Sequence, residues 1–129
     1  MEYWTTIRLR KPFVDTVDLV REALQEQGFG VLTEIDVRAT LREKIGEETE
    51  DYLILGACNP VLAFQALEVD RRIGLLLPCN VVVRADGNET VVEAVAPQIL
   101  VDVTGEPDLA PVAAEAGRRL RAAIEGMRP

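Results

Sequence analysis

The chain has 129 residues, of which 48% are hydrophobic, 28% charged and only 5% aromatic, and its formal net charge is −8. The apolar fraction is too high for disorder, no run approaches the roughly 18–20 apolar residues of a membrane span, and the acidic balance argues against a nucleic-acid partner. There is no His and no Ser, which removes imidazole acid–base chemistry, imidazole metal ligands and serine nucleophiles.

Residues 3–10 read as a first strand, with Trp4, Ile7 and Leu9 among Thr and Arg and a stop at Pro12. An amphipathic helix follows: Phe13, Val17, Val20 and Leu24 recur at spacings of four, three and four, Pro12 suits its first turn and Gly28 its end. Val31, Thr33 and Ile35 alternate with Leu32, Glu34 and Asp36, the period of a strand. Asp36 is a good N-cap for a second helix with Val37, Leu41 and Ile45 on one face and Gly46 at its end.

After the acidic residues 47–51, residues 52–57 form a nearly all-apolar strand, the signature of a central position in a sheet. Asn59 and Pro60 supply the N-cap and first position of a third helix, whose buried face is expected to comprise Leu62, Ala63, Ala66, Leu67 and Val69. Residues 73–77 are a short apolar run broken by Pro78. Residues 81–84 and 90–95 flank Asp86-Gly87-Asn88, a hairpin signal. A short helix over 97–103 closed by Gly105, and a last helix over 108–127 with Val112, Ala113, Ala116, Leu120 and Ile124 inward, complete the chain.

The order of elements predicts one α+β domain over residues 1–129, a two-layer arrangement of a mostly antiparallel sheet with helices on one face. Two Cys are too few for a disulfide scaffold, and no basic segment followed by an apolar one opens the chain, so a cytoplasmic protein with reduced thiols and no membrane partner is expected. Twelve Arg against two Lys suit a thermophile or a GC-rich genome and do not bear on mechanism.

Three blocks in order carry a family resemblance: Gly28-Phe29-Gly30-Val31-Leu32-Thr33-Glu34-Ile35-Asp36-Val37 with Thr40 and Lys44, then Ile54-Leu55-Gly56-Ala57-Cys58-Asn59-Pro60, then Leu75-Leu76-Leu77-Pro78-Cys79-Asn80-Val81-Val82-Val83. Together they resemble the bacterial domain-of-unknown-function 302 family over nearly the whole chain. The resemblance implies a compact α+β domain similar to a single-copy TATA-binding-protein-like fold, and a homodimer; it implies no activity. Many members keep the Asn-Pro of Asn59-Pro60 and the Pro of Pro78 but carry no Cys at the positions of Cys58 and Cys79, so thiol chemistry would belong to this branch alone.

The repeated pairs Cys58-Asn59 and Cys79-Asn80 are the first candidate site. A thiol at a helix N-terminus meets free N–H groups and the positive end of the dipole, which lower its pKa. If their strands are neighbours, Cys58 and Cys79 would form a redox pair or a soft-metal site, although two ligands do not complete a tetrahedral zinc site. The plainer alternative is that each Cys is a small buried hydrophobe. Glu34, Asp36 and Lys44 form the second candidate, as carboxylates at a strand end near a base; the alternative is a cap and exposed ion pairs.

Residues 47–51 lack the spacing of an EF-hand loop, and Gly28-Phe29-Gly30 lacks that of a dinucleotide fingerprint. Arg71-Arg72 and Arg118-Arg119-Arg121 suit an anionic small ligand or a subunit interface. The leading functional reading is a homodimeric binding module for a small ligand or a protein partner. The alternative is a thiol-based redox, persulfide or soft-metal function through Cys58 and Cys79. A hydrolase or transferase built on Asp, Glu, Cys or Tyr is weaker, because no such groups cluster in the sequence. No cofactor is identified from the sequence.

Overall fold

The computed structural model describes residues 2–129. The apolar periods of the sequence become five strands, β1 (Trp4–Leu9), β2 (Gly30–Asp36), β3 (Tyr52–Cys58), β4 (Cys79–Asp86) and β5 (Glu89–Val95). The helices are α1 (Phe13–Glu26), α2 (Val37–Ile45), α3 (Pro60–Val69), α4 (Ile99–Thr104) and α5 (Ala110–Glu125), with 3₁₀ turns at Arg71–Leu76 and Pro107–Leu109. The strands form one antiparallel sheet in the order β1-β5-β4-β3-β2. The architecture is α+β, as the order of elements predicts.

Strand alternation sends one set of side chains to each face of the sheet. Ile7 and Leu9 of β1, Leu53, Leu55 and Ala57 of β3, Val81 and Val83 of β4, and Val92 and Ala94 of β5 are all buried. They pack against Val20 and Leu24 of α1 and Leu120, Ala123 and Ile124 of α5 in one core. A smaller cluster of Ala66, Ile73, Leu100 and Leu109 joins α3, α4 and the two 3₁₀ turns. Thr16 and Thr90 are buried without cost because their hydroxyls donate to the carbonyls of Pro12 and Lys11.

The alternate set makes the other face. Thr6, Glu93, Val82, Ile54 and Ile35 form one rung across all five strands, and Arg8, Val91, Arg84 and Tyr52 form the next. Val91 lies on this face yet is buried, held between two Arg whose aliphatic stems cover it.

Several expectations change. β3 is interior, between β2 and β4, but the middle strand is β4. β2 is an edge strand, and six of its seven residues are exposed, including Leu32 and Ile35. α2 is capped as expected, with the Asp36 carboxylate accepting from the Ala39 N–H at 2.9 Å, but it buries no residue and Ile45 is 65% exposed. Its apolar face lies beside an edge strand, where no second layer covers it. Val69 is exposed at the end of α3, and the apolar run 73–77 buries only Ile73, because the 3₁₀ turn projects Leu75 outward.

Gly56 is where two side chains approach the sheet. A Cβ there would collide with Thr33 Oγ1 and stand 2.7 Å from Pro78 Cγ. Gly30, at the edge, has nothing within 4 Å of the same position. Gly56→Ala is therefore expected to cost about 1–3 kcal/mol through overpacking, whereas Gly30→Ala should stay within about 1 kcal/mol of the parent or gain slightly; urea unfolding of the two variants checks the contrast.

Candidate functional site

The uncovered face of the sheet carries an apolar groove of about 470 Å³. Its walls and floor are Tyr3, Trp4, Tyr52, Val82, Val95 and the backbone neighbourhood of Ala94, with Asn80 and Glu93 as its polar members. The position of each follows from the register. Trp4 pairs with Val95, and Glu93 with Val82, so β1, β5 and β4 supply adjacent outward side chains, and Tyr52 closes the floor from β3. The rings of Tyr3 and Trp4 stand edge to face, 4.9 Å apart at 72°, a preferred aromatic geometry. Glu93 accepts from Arg84 Nε at 2.9 Å, so the one ionic side chain on the groove is already paired.

A second hollow, of about 290 Å³, shares Asn80 and Val95 with the first and runs past Pro78 to Leu75, Pro97 and Ile99. Asn80 is thus an exposed amide at the junction of both.

The two cysteines lie at the same end of adjacent strands. Cys79 is registered opposite Ala57, with Cys58 one residue further along β3. Both line a crevice of about 30 Å³ with Phe29, Leu62, Leu77 and Ala116, the space of about one water. Burial pushes the Cys79 thiol up to about 11, and the neighbouring Cys58 adds to it; burial also raises Cys58. This reverses the expectation of an acidic thiol. Cys58 ends a strand, and the N-terminus of α3 is capped by Asn59, whose Oδ1 accepts from the Leu62 N–H at 3.2 Å. Desolvation outweighs the helix dipole for a group one residue before the cap. Both cysteines are free thiols.

The second sequence-derived cluster does not converge. Glu34 pairs with Arg21 of α1 at 2.6 Å, Asp36 caps α2, and Lys44 sits exposed in the last turn of α2 with no ion pair among the described residues. In the acidic segment, Asp51 binds Arg38 at 2.8 Å. Among the described residues no three His, Cys, Asp or Glu side chains gather as metal ligands, and no helix is long and apolar enough to cross a membrane.

Sequence reasoning missed Tyr3, Trp4, Tyr52, Val82, Glu93 and Val95. The available signal was the period of two along the third strand and the hairpin. It separates Tyr52 and Val82 from Leu53 and Val83, but it cannot say which set lies under helices.

The family model for the domain of unknown function DUF302 matches residues 5–127. The crystal structure of an uncharacterized conserved DUF302 protein from Bacillus stearothermophilus is similar at 30% identity and a TM-score of 0.92, covering 99% of this chain and 100% of that one. No curated protein matches.

The thiols give a pH-dependent expectation. Below pH 9 the Cys79 thiol is protonated in both folded and unfolded chains. Between its ordinary value of 9.0 and about 11 the unfolded chain loses the proton and the native one keeps it. The native state then binds more protons, so stability falls as pH rises. Comparing urea midpoints of the parent and Cys79→Val from pH 8 to 11 should show an extra loss in the parent of up to about 2–3 kcal/mol. At neutral pH, alkylation of the native protein should modify Cys58 slowly and leave Cys79 untouched.

Proposed function

The chain belongs to the DUF302 family, and on that footing we propose that it is a homodimeric binding module whose sheet-face groove takes a small, largely apolar, ring-bearing molecule. The observation that carries this reading is the groove itself. Its volume of about 470 Å³ lies in the range of small-molecule sites, roughly 300–1,000 Å³. Its lining is aromatic and aliphatic, with few polar groups to orient a ligand. The Asn80 amide can donate and accept, and the Arg84–Glu93 pair is internally neutral. An apolar ring on Tyr3, Trp4 and Tyr52 suits such walls better than a free anion, for which the lining residues supply no cation.

The homodimer rests on a different surface. A nine-residue helix is not stable by its own propensity, and α2 buries none of its residues within one chain. Leu32 (67% exposed), Ile35 and Ile45 leave an apolar strip beside the unpaired edge of β2. A second copy aligned on β2 would cover that strip and pair the free backbone groups of the edge. The thiol alternative has less support, because burial raises both thiols rather than activating them. A cytoplasmic setting fits two free cysteines.

Trp4 is the chain's one Trp, so its emission reports on the groove. Titration with the neutral probe N-phenyl-1-naphthylamine should quench Trp4 saturably. Val82→Arg should abolish the quenching without unfolding the protein, and unchanged Trp4 emission in the parent would count against the groove. For the dimer, light scattering after size-exclusion should give twice the 14.2 kDa chain mass. Ile45→Glu, which buries a charge in the proposed contact, should return the protein to one chain; a parent that is already monomeric at micromolar concentration removes the dimer.

A further inference from the structure

Resting on the groove proposed above, we infer that this groove and the second hollow are two arms of one site. Its ligand is an uncharged molecule in which an aromatic ring is joined through a carbonyl linker, an amide or an ester, to an aliphatic chain. The two hollows, of about 470 and 290 Å³, meet at Asn80 and Val95, which line both. The register accounts for the junction. Asn80 pairs with Gly56 of β3, and the alignment of β4 on β5, with Val81 opposite Ala94, sets it beside Val95. Val95 in turn pairs with Trp4, so the aromatic wall and the Asn80 amide stand on one rung of the uncovered face.

The two arms differ in chemistry. Tyr3, Trp4 and Tyr52 make the first aromatic, and their flat faces and edges suit a ring. The second is walled by Leu75, Leu77, Pro97 and Ile99, and among the described residues it has no aromatic and no charged side chain. Leu75 is 85% exposed and Leu76 37%. A single exposed Leu carries no meaning, but adjacent ones lining a concavity leave apolar surface that a flexible chain would withdraw from water. Between the arms, Asn80 is exposed and is the one amide side chain on either lining among the described residues. It offers an NH₂ donor to a carbonyl oxygen and a carbonyl acceptor to an amide N–H. Glu93, the one ionic side chain on either lining, is already paired with Arg84. The linker that these residues accommodate is therefore polar but uncharged.

The full chain is titrated by calorimetry with N-(1-naphthyl)acetamide, N-(1-naphthyl)butanamide and N-(1-naphthyl)hexanamide, which share a ring and a linker and differ only in the chain. Each methylene withdrawn from water strengthens binding about fourfold. On an arm open at one side, the hexanamide should bind at least about tenfold more tightly than the acetamide. Ile99→Glu sets a charge in the aliphatic arm and should bring that ratio down to about twofold or less. Leu75→Glu, at a residue too exposed to carry the fold, decides alone if Ile99→Glu does not fold. Asn80→Leu should weaken every amide by about threefold to tenfold, the worth of one net hydrogen bond. A parent that binds none of the three overturns the groove reading and this inference together. A parent that binds the acetamide but gains nothing with chain length, or folded arm variants that keep the parent ratio, overturns the two-armed site and leaves the groove standing. Undiminished binding by Asn80→Leu overturns the carbonyl linker.

Discussion

Burial of Leu55, Val81, Val83 and Val92 beneath α1 and α5 is the constraint from which the rest of the molecule follows. Each of these side chains is withdrawn almost wholly from water, at roughly 1.5–3 kcal/mol apiece, and they come from the three adjacent strands β3, β4 and β5. Once that set is committed inward, the period of two leaves no freedom for its neighbours. Tyr52, Ile54, Val82 and Glu93 must project to the other side, and slipping any strand by one residue would expose the core and bury an ion pair. Five strands present two faces, and the long helices cover one.

The candidate site is a consequence of that imbalance. A face that no layer covers would ordinarily be polar, and here it is partly so: Arg8, Arg84 and Glu93 stand on it, with Val91 shielded between the two Arg. At the end near the N-terminus the polar cover fails, and Tyr3, Trp4, Val82 and Val95 line a concave apolar surface. The groove is therefore made by strand register, with Tyr3 added from the residue just before β1.

Electrostatics divides the polar residues between structural and available roles. Asp36, Glu34 and Asp51 are all engaged with a helix terminus or an Arg, at distances between 2.6 and 2.9 Å. The cysteines are set aside by desolvation, since a thiol raised to about 11 is a neutral packing group at physiological pH. Asn59 likewise caps α3 and Arg119 pairs with Glu115, whereas Asn80 stands as an exposed amide at the junction of two hollows.

The sequence by itself determined the order of the strands and helices and the starts of two helices. Spacings of three and four marked α1 and α5, Asp36 and Asn59 marked helix starts through their own side-chain oxygens, and Asp86-Gly87-Asn88 marked the hairpin, because each of these signals is local in physics. Its quoted blocks also pointed to the family. Which apolar face would be covered was not local. Val37, Leu41 and Ile45 have the spacing of a buried stripe, and so do Val20 and Leu24, but only the sheet order, with β2 at its edge, leaves the first half-covered with Ile45 exposed and buries the second. Likewise the chemistry of Cys58 depended on whether dipole or desolvation dominated, and Asn59 and Arg119, distant in sequence, both came to lie beside Gly28. Such outcomes depend on distances between elements, and those are set by packing the core as a whole.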